Sequence, residues 1–173
     1  MSRMPISRIG ARTRVRRAAA PLAAFALCLA AAAATPATAA APVAAADPVT
    51  VSLLLTGPGG TVFDGEVTTT GHTVTPATGG AHLCDGTNLD ANPAAGATPT
   101  AALDDAADEN GFDWDGVWYA SFEDYLVTSV AGQAQTADFF YLLSVNGAPT
   151  SVGGCQLLLD EGDEVAYTWT EVS

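Results

Sequence analysis

The chain has 173 residues, 49% hydrophobic and 14% charged, with 19 Asp plus Glu against 6 Lys plus Arg. All the basic residues (Arg3, Arg8, Arg12, Arg14, Arg16, Arg17) precede Ala18, and from Asp47 onward there is no Lys or Arg. Nucleic acid and anionic membrane surfaces are excluded as partners of this acidic part, because binding either needs basic side chains that replace counterions.

The arginine-rich start leads into the apolar run 18–34, followed by the small residues Ala37-Thr38-Ala39, which are the three regions of a secretory signal. A run of mostly alanine is short and weakly apolar for a membrane span of about 20 residues. Residues 1–39 are therefore expected to be a signal peptide, cut after Ala39 or, alternatively, after Ala46, and the protein is expected to be secreted. Residues 40–48 read as an Ala/Pro linker and 49–173 as one domain of ordinary size. Cys28 leaves with the signal. Cys84 and Cys155 remain in a compartment where disulfides persist, and their pairing would close a loop of about 71 residues, contributing on the order of 4 kcal/mol. Two free thiols or an intermolecular bridge are the alternatives.

Along the domain, Val49, Val51, Leu53 and Leu55 alternate and predict a strand. The turn cluster Gly57-Pro58-Gly59-Gly60 and a second extended segment, Thr61 to Val67, make a hairpin with a bulge expected at Gly65. Thr68 to Gly96 is rich in Gly, Thr, Pro and Asn and reads as loop, with a short strand at His72 to Val74. Thr98 as cap and Pro99 at the first helical position start a helix that runs to Gly111. Its buried stripe is Leu103, Ala106 and Ala107, and Asp104 and Asp105 are placed to favour the helix dipole. Extended stretches follow at Ser121 to Val130, Asp138 to Asn146, Gln156 to Leu159 and Glu164 to Thr170.

No residue pattern defines a catalytic centre. His72 and His82 have no Ser or Cys in a nucleophile setting, Gly-x-Ser-x-Gly does not occur, and both read as solvated loop side chains. The carboxylate pairs Asp113 with Asp115 and Asp160 with Asp163 are two among many acids, so the domain is not expected to be an enzyme. Calcium suits carboxylate-rich loops, and Asn88, Asp90 and Asn92 have the spacing of the first half of an EF-hand, but Pro93 and Pro99 occupy its Gly and Glu positions. A second acidic cluster is Asp108, Asn110, Asp113 and Asp115. The aromatic segment from Phe112 to Tyr125 offers Trp114, Trp118, Tyr119 and Tyr125 as ligand-stacking residues. Trp118 and Tyr119 are the expected platform, since adjacent strand residues point to opposite faces and one must face out.

Hairpin, helix and then strands is the order of an α+β, β-grasp-like domain with a mixed sheet, one main helix and one disulfide. The pieces Gly60-Thr-Val-Phe-Asp-Gly65, 98–107, Phe140 to Gly147 and Glu161-Gly-Asp163 resemble a family of secreted bacterial domains of unknown function, related to the C-terminal domain of transcobalamin. The resemblance implies fold more than activity. It suggests a corrinoid as one ligand, but transcobalamin's domain works beside a helical one for which residues 40–173 leave no room. A glycan or a protein surface is the expected partner of a non-enzymatic binding or adhesion module, with no cofactor. A structural or partner-tethering domain and a small secreted hydrolase are the alternatives. For the fold, the alternative is an all-β immunoglobulin-like sandwich.

Overall fold

The computed structural model describes residues 46–90 and 92–173. The expected signal peptide, residues 1–39, and the cleavage junction after Ala39 lie outside these residues, as does most of the linker, whereas the alternative junction after Ala46 falls at their start. Strand β1 (Val49–Gly57) buries Val51, Leu53 and Leu55 on one face, as their alternation predicts. It turns at Pro58-Gly59 into β2 (Gly60–Thr69), where Gly60 takes a positive φ of 107°. The bulge is not at Gly65, which pairs in register with Leu53; the register shifts at Leu55/Thr56, leaving Val62 as the extra residue. Gly65 has another use, because the Phe63 ring lies over it in space that a side chain would need.

The segment read as loop contains a second hairpin. Strand β3 (His72–Val74) is where the sequence placed it, and β4 (His82–Cys84) pairs with it antiparallel. Three residues are too few to show alternation, so β4 left no pattern to read. Helix α1 (Pro99–Asn110) begins at Thr98, whose Oγ1 accepts the Ala101 N–H at 3.2 Å. It ends at Gly111 (φ 69°), which donates its N–H to the Ala107 carbonyl. Leu103, Ala106 and Ala107 are buried as expected. Asp104 is buried as well, and its role is not the dipole but a set of side-chain hydrogen bonds described below.

A three-stranded sheet follows, made of β5 (Trp114–Tyr119), β6 (Asp124–Val130) and the short β7 (Gln133–Ala134). The expected strand from Ser121 starts only at Asp124, because Phe122 donates its N–H to the Tyr119 carbonyl and makes the turn. Strand β5 begins before the Trp118-Tyr119 pair expected to be extended, at Trp114, because Asp115-Gly116 interrupts the apolar pattern of its first half, and the register shifts at that pair. Strands β8 (Phe139–Val145), β9 (Ala148–Pro149) and β10 (Glu164–Glu171) complete the main sheet. Its order is β2-β1-β10-β8-β9, with β1 and β10 parallel and every other pair antiparallel. The Gln156 to Leu159 strand does not form. Gln156 donates to the Gly153 carbonyl and Leu159 to the Ala97 carbonyl, so the segment crosses to the start of α1 rather than lining up beside a strand.

The parallel pairing of first and last strands requires a long crossover, and the whole span from β2 to β9 supplies it. The inward faces of β1, β2 and β10 meet α1 over a core that includes Leu53, Leu55, Val67, Leu103, Val165 and Tyr167. Tyr141 in β8 donates its hydroxyl to the Gln133 carbonyl at 2.7 Å and joins the small sheet to the large one. The architecture is α+β, a mixed sheet with one α-helix among the described residues. The immunoglobulin-like alternative does not describe it, because a helix covers the sheet face where a sandwich would place a second sheet.

Candidate functional site

Cys84 and Cys155 form a disulfide, 71 residues apart in sequence and both fully buried. Around it the long loop is sewn to the rest of the domain. Gly86 donates its N–H to the Cys155 carbonyl, Thr98 donates its hydroxyl to the Cys84 carbonyl, and the Asn92 amide donates to the carbonyls of Gly86 and Gln156. The Asn92 amide nitrogen thus holds the loop to the 150–156 segment. No group of three or more His, Cys, Asp or Glu is placed to hold a metal ion among the described residues.

The disulfide also fixes the 150–156 segment against β6, and the contact is made by Asp124 at the start of that strand. Its Oδ1 accepts the N–H of Tyr125 at 2.7 Å and of Cys155 at 3.1 Å, while Oδ2 is buried with no hydrogen-bond partner. Burial pushes the Asp124 carboxyl up to about 6, although the two N–H donors pull the other way. Gly153 closes over this carboxyl, and a Cβ at that position would overlap it.

The four expected aromatic residues separate into different environments. Trp114 is 3% exposed and donates Nε1–H to Asp104 Oδ1 at 2.6 Å, which makes it a core residue. Tyr125 is also buried, packs edge-on against Trp114 and Trp118, and donates its hydroxyl to the Gly80 carbonyl. Trp118 is half-buried, with the His82 ring stacked on it at 4.0 Å and 4°. Tyr119 faces out, as the alternation of strand side chains requires for one of the pair. Phe122 joins it across the turn, with ring centroids 6.5 Å apart. Phe122 was not among the expected site residues, since nothing in its neighbourhood distinguishes a turn residue from a strand residue until β5 and β6 are paired.

Beside this turn lies a groove of about 430 Å³, walled by Tyr119, Phe122, Leu126 and Val152, with Thr150 and Gln156 as polar positions and Asp124 and Gly153 in its floor. The Gln156 amide donates to the Phe122 carbonyl and bridges the two walls. A smaller space of about 140 Å³ shares Tyr125, Leu126, Thr150, Val152 and Gly153 with it and extends to Tyr141 and Tyr167. On the opposite side of the same turn is a second groove, of about 490 Å³, bordered by His82, Trp118, Glu123, Asp90 and Leu89. One turn thus stands between an apolar groove and an acidic one.

The remaining candidates have structural partners. His72 is no solvated loop residue: Nε2 lies 3.4 Å from Asp104 Oδ2 and 3.7 Å from Asp105 Oδ1, and Nδ1 is 2.9 Å from the Thr70 carbonyl. With both ring nitrogens engaged, it is a tie rather than a free base. Asp115 accepts the Thr78 N–H and hydroxyl. Asp163 accepts from the Asn146 amide and the Asp160 N–H, which makes it the organiser of a turn. Among the described residues no helix is long and apolar enough to cross a membrane.

No protein-family model matches the chain, and no curated protein matches it either.

Proposed function

We propose that this chain is a secreted, non-enzymatic binding module whose ligand lies in the groove beside the β5–β6 turn. The observation that carries the reading is the groove itself: a concave space whose walls include Tyr119 and Phe122, 45% and 62% exposed, above a floor fixed by a buried disulfide. Concave, mostly apolar sites with a few polar groups are where proteins hold ligands. A rigid floor lowers the ordering cost of binding. The engagement of both His72 nitrogens, and the use of Asp115 and Asp163 inside turns, support binding over catalysis.

The fold belongs to the same proposal. A hairpin, a helix packed on it, and a last strand parallel to the first at the centre of the sheet are the features of a β-grasp. They support the resemblance to the secreted domains related to the transcobalamin C-terminal domain. The ligand classes this reading admits are a glycan and a protein surface.

The test is a thermal-shift panel of corrinoids, cell-wall glycans, calcium and polypeptides, repeated on Tyr119→Ala and Phe122→Ala. A ligand at 100 times its dissociation constant stabilises by about 2.7 kcal/mol. The expected result is a shift that both variants reduce. A ligand whose shift survives both substitutions overturns the assignment of the groove. Turnover of any panel member overturns the non-enzymatic reading, and a panel with no shift at all favours a structural or tethering domain.

A further inference from the structure

We infer that the ligand of this groove is a cationic polypeptide segment, with an apolar side chain seated between Phe122, Leu126 and Val152 and Lys or Arg side chains meeting the carboxylates around the turn. The inference rests on the binding-module reading and names the class of its ligand. Its first support is the surface. Phe122 (62%), Tyr119 (45%), Val152 (42%) and Leu126 (40%) come from two separate stretches of chain, the β5–β6 hairpin and the segment before Cys155, and are left exposed around one concavity. Val117, the cross-strand partner of Leu126, extends this apolar face at 49% exposure. Single exposed apolar residues are ordinary, whereas a contiguous set with polar borders marks a contact surface.

The second support is charge, and it selects the partner. All 19 carboxylates of the chain lie from Asp47 onward, in a stretch without one Lys or Arg. An all-acidic surface raises the local concentration of cations and repels anionic proteins, while a neutral sugar gains nothing from it. At the turn this field has named sources. Glu123 follows Phe122 in sequence and accepts the Leu89 N–H at 2.9 Å, and Asp90 borders the same acidic groove. Asp124 lies beneath the apolar groove, 5% exposed, with Oδ2 unpartnered. Tyr119, exposed beside the turn, presents aromatic surface on which a guanidinium or ammonium group stacks favourably.

Calorimetric titration of the purified protein tests this with three synthetic peptides of about twelve residues. One alternates Lys with Leu and Trp; the second has Glu in place of Lys; the third has Ser in place of Leu and Trp. The first is expected to bind, the second not, and the third at least about tenfold more weakly than the first. Phe122→Ala and Val152→Ser, both at exposed positions, are expected to weaken the first peptide about tenfold with an unchanged melting temperature. Raising sodium chloride from about 0.05 M to about 0.5 M is expected to weaken it further. Equal binding of the Lys/Ser peptide, or an affinity untouched by Phe122→Ala, reduces the effect to bulk charge attraction and overturns the proposal. If a neutral cell-wall oligosaccharide binds in a Phe122-dependent way and the cationic peptide does not, the peptide proposal falls while the binding-module reading stands. Failure of every peptide and oligosaccharide counts against both.

Discussion

His72 and Asp104 face each other across the junction of β3 and α1, with Nε2 3.4 Å from Oδ2, and Asp104 uses its other oxygen to accept the Trp114 indole N–H. One carboxylate therefore ties together a strand of the long loop, the helix and the small sheet. The hydrogen bond to Asp104 raises the His72 imidazole to about 9, against the opposing effect of burial, and the Thr70 carbonyl adds to the rise. Burial alone would raise Asp104, but hydrogen bonds from His72, Trp114 and the Thr75 N–H outweigh it and hold this carboxyl below its ordinary range.

This pair makes stability depend on pH in a stated direction. His72 binds its proton more tightly folded than unfolded, so its stabilisation is complete below the unfolded value of 6.5 and is lost as pH rises through about 9. At a half-buried site, after solvent screening, this amounts to about 1–2 kcal/mol. Melting temperatures measured at intervals from pH 6 to pH 10 (about one unit apart) should fall for the wild type, and His72→Gln should flatten that fall. A wild-type curve that rises over this interval would falsify the assignment.

Asp124 acts in the same direction at lower pH. Its carboxyl is raised to about 6, so the cost of burying its charge is absent below the unfolded 3.8 and complete above the folded value. Ionised, it costs the folded state about 2–3 kcal/mol. Asp124→Asn keeps an oxygen for the N–H groups of Tyr125 and Cys155 and cannot ionise. Relative to wild type, it is expected to gain stability between pH 4 and pH 7 (roughly these limits). Chemical denaturation at both ends of the interval checks this, and an unchanged difference between the two proteins removes Asp124 as the cause.

The disulfide should matter more for stability than for architecture. Closing a loop of 71 residues contributes on the order of 4 kcal/mol by restricting the unfolded chain. Cys155→Ser, or reduction, should lower the denaturation midpoint by a corresponding amount, while amide exchange still protects β1, β8 and β10, which pair without it. Loss of protection in those strands would show that the disulfide is needed to form the large sheet.

Two glycines provide a packing test. A Cβ at Gly71 would sit 2.5 Å from the Gly96 carbonyl oxygen and 2.7 Å from the Asp85 Cα, where only backbone movement makes room. Gly71→Ala is expected to cost about 2–3 kcal/mol. A Cβ at Gly59, in the first hairpin, meets nothing within 4 Å, so Gly59→Ala should change stability by less than about 0.5 kcal/mol. Comparable losses from the two substitutions would contradict the close approach of residue 71 to residues 85 and 96.

Features whose cause is local were legible in the sequence. Alternation in Val49 to Leu55 reports a buried strand face directly, and Thr98, Pro99 and Gly111 carry the helix ends in their own backbone chemistry. The pairing of Cys84 with Cys155 needed only the count of cysteines left after an expected signal peptide, a segment outside the described residues. Features set by contacts between distant residues were not legible. Strand β4 exists because β3 lies beside it, and Gln156 to Leu159 is not a strand because Ala97 and Cys84 hold it elsewhere. The burial of Asp104 and Asp124 comes from partners 10 to 32 residues away, Trp114, Cys155 and His72, which no short window contains. Of the aromatic residues, composition named the segment, but which rings enter the core and which stand at the groove was decided only when β5 paired with β6 and the disulfide brought Val152 and Gly153 against them.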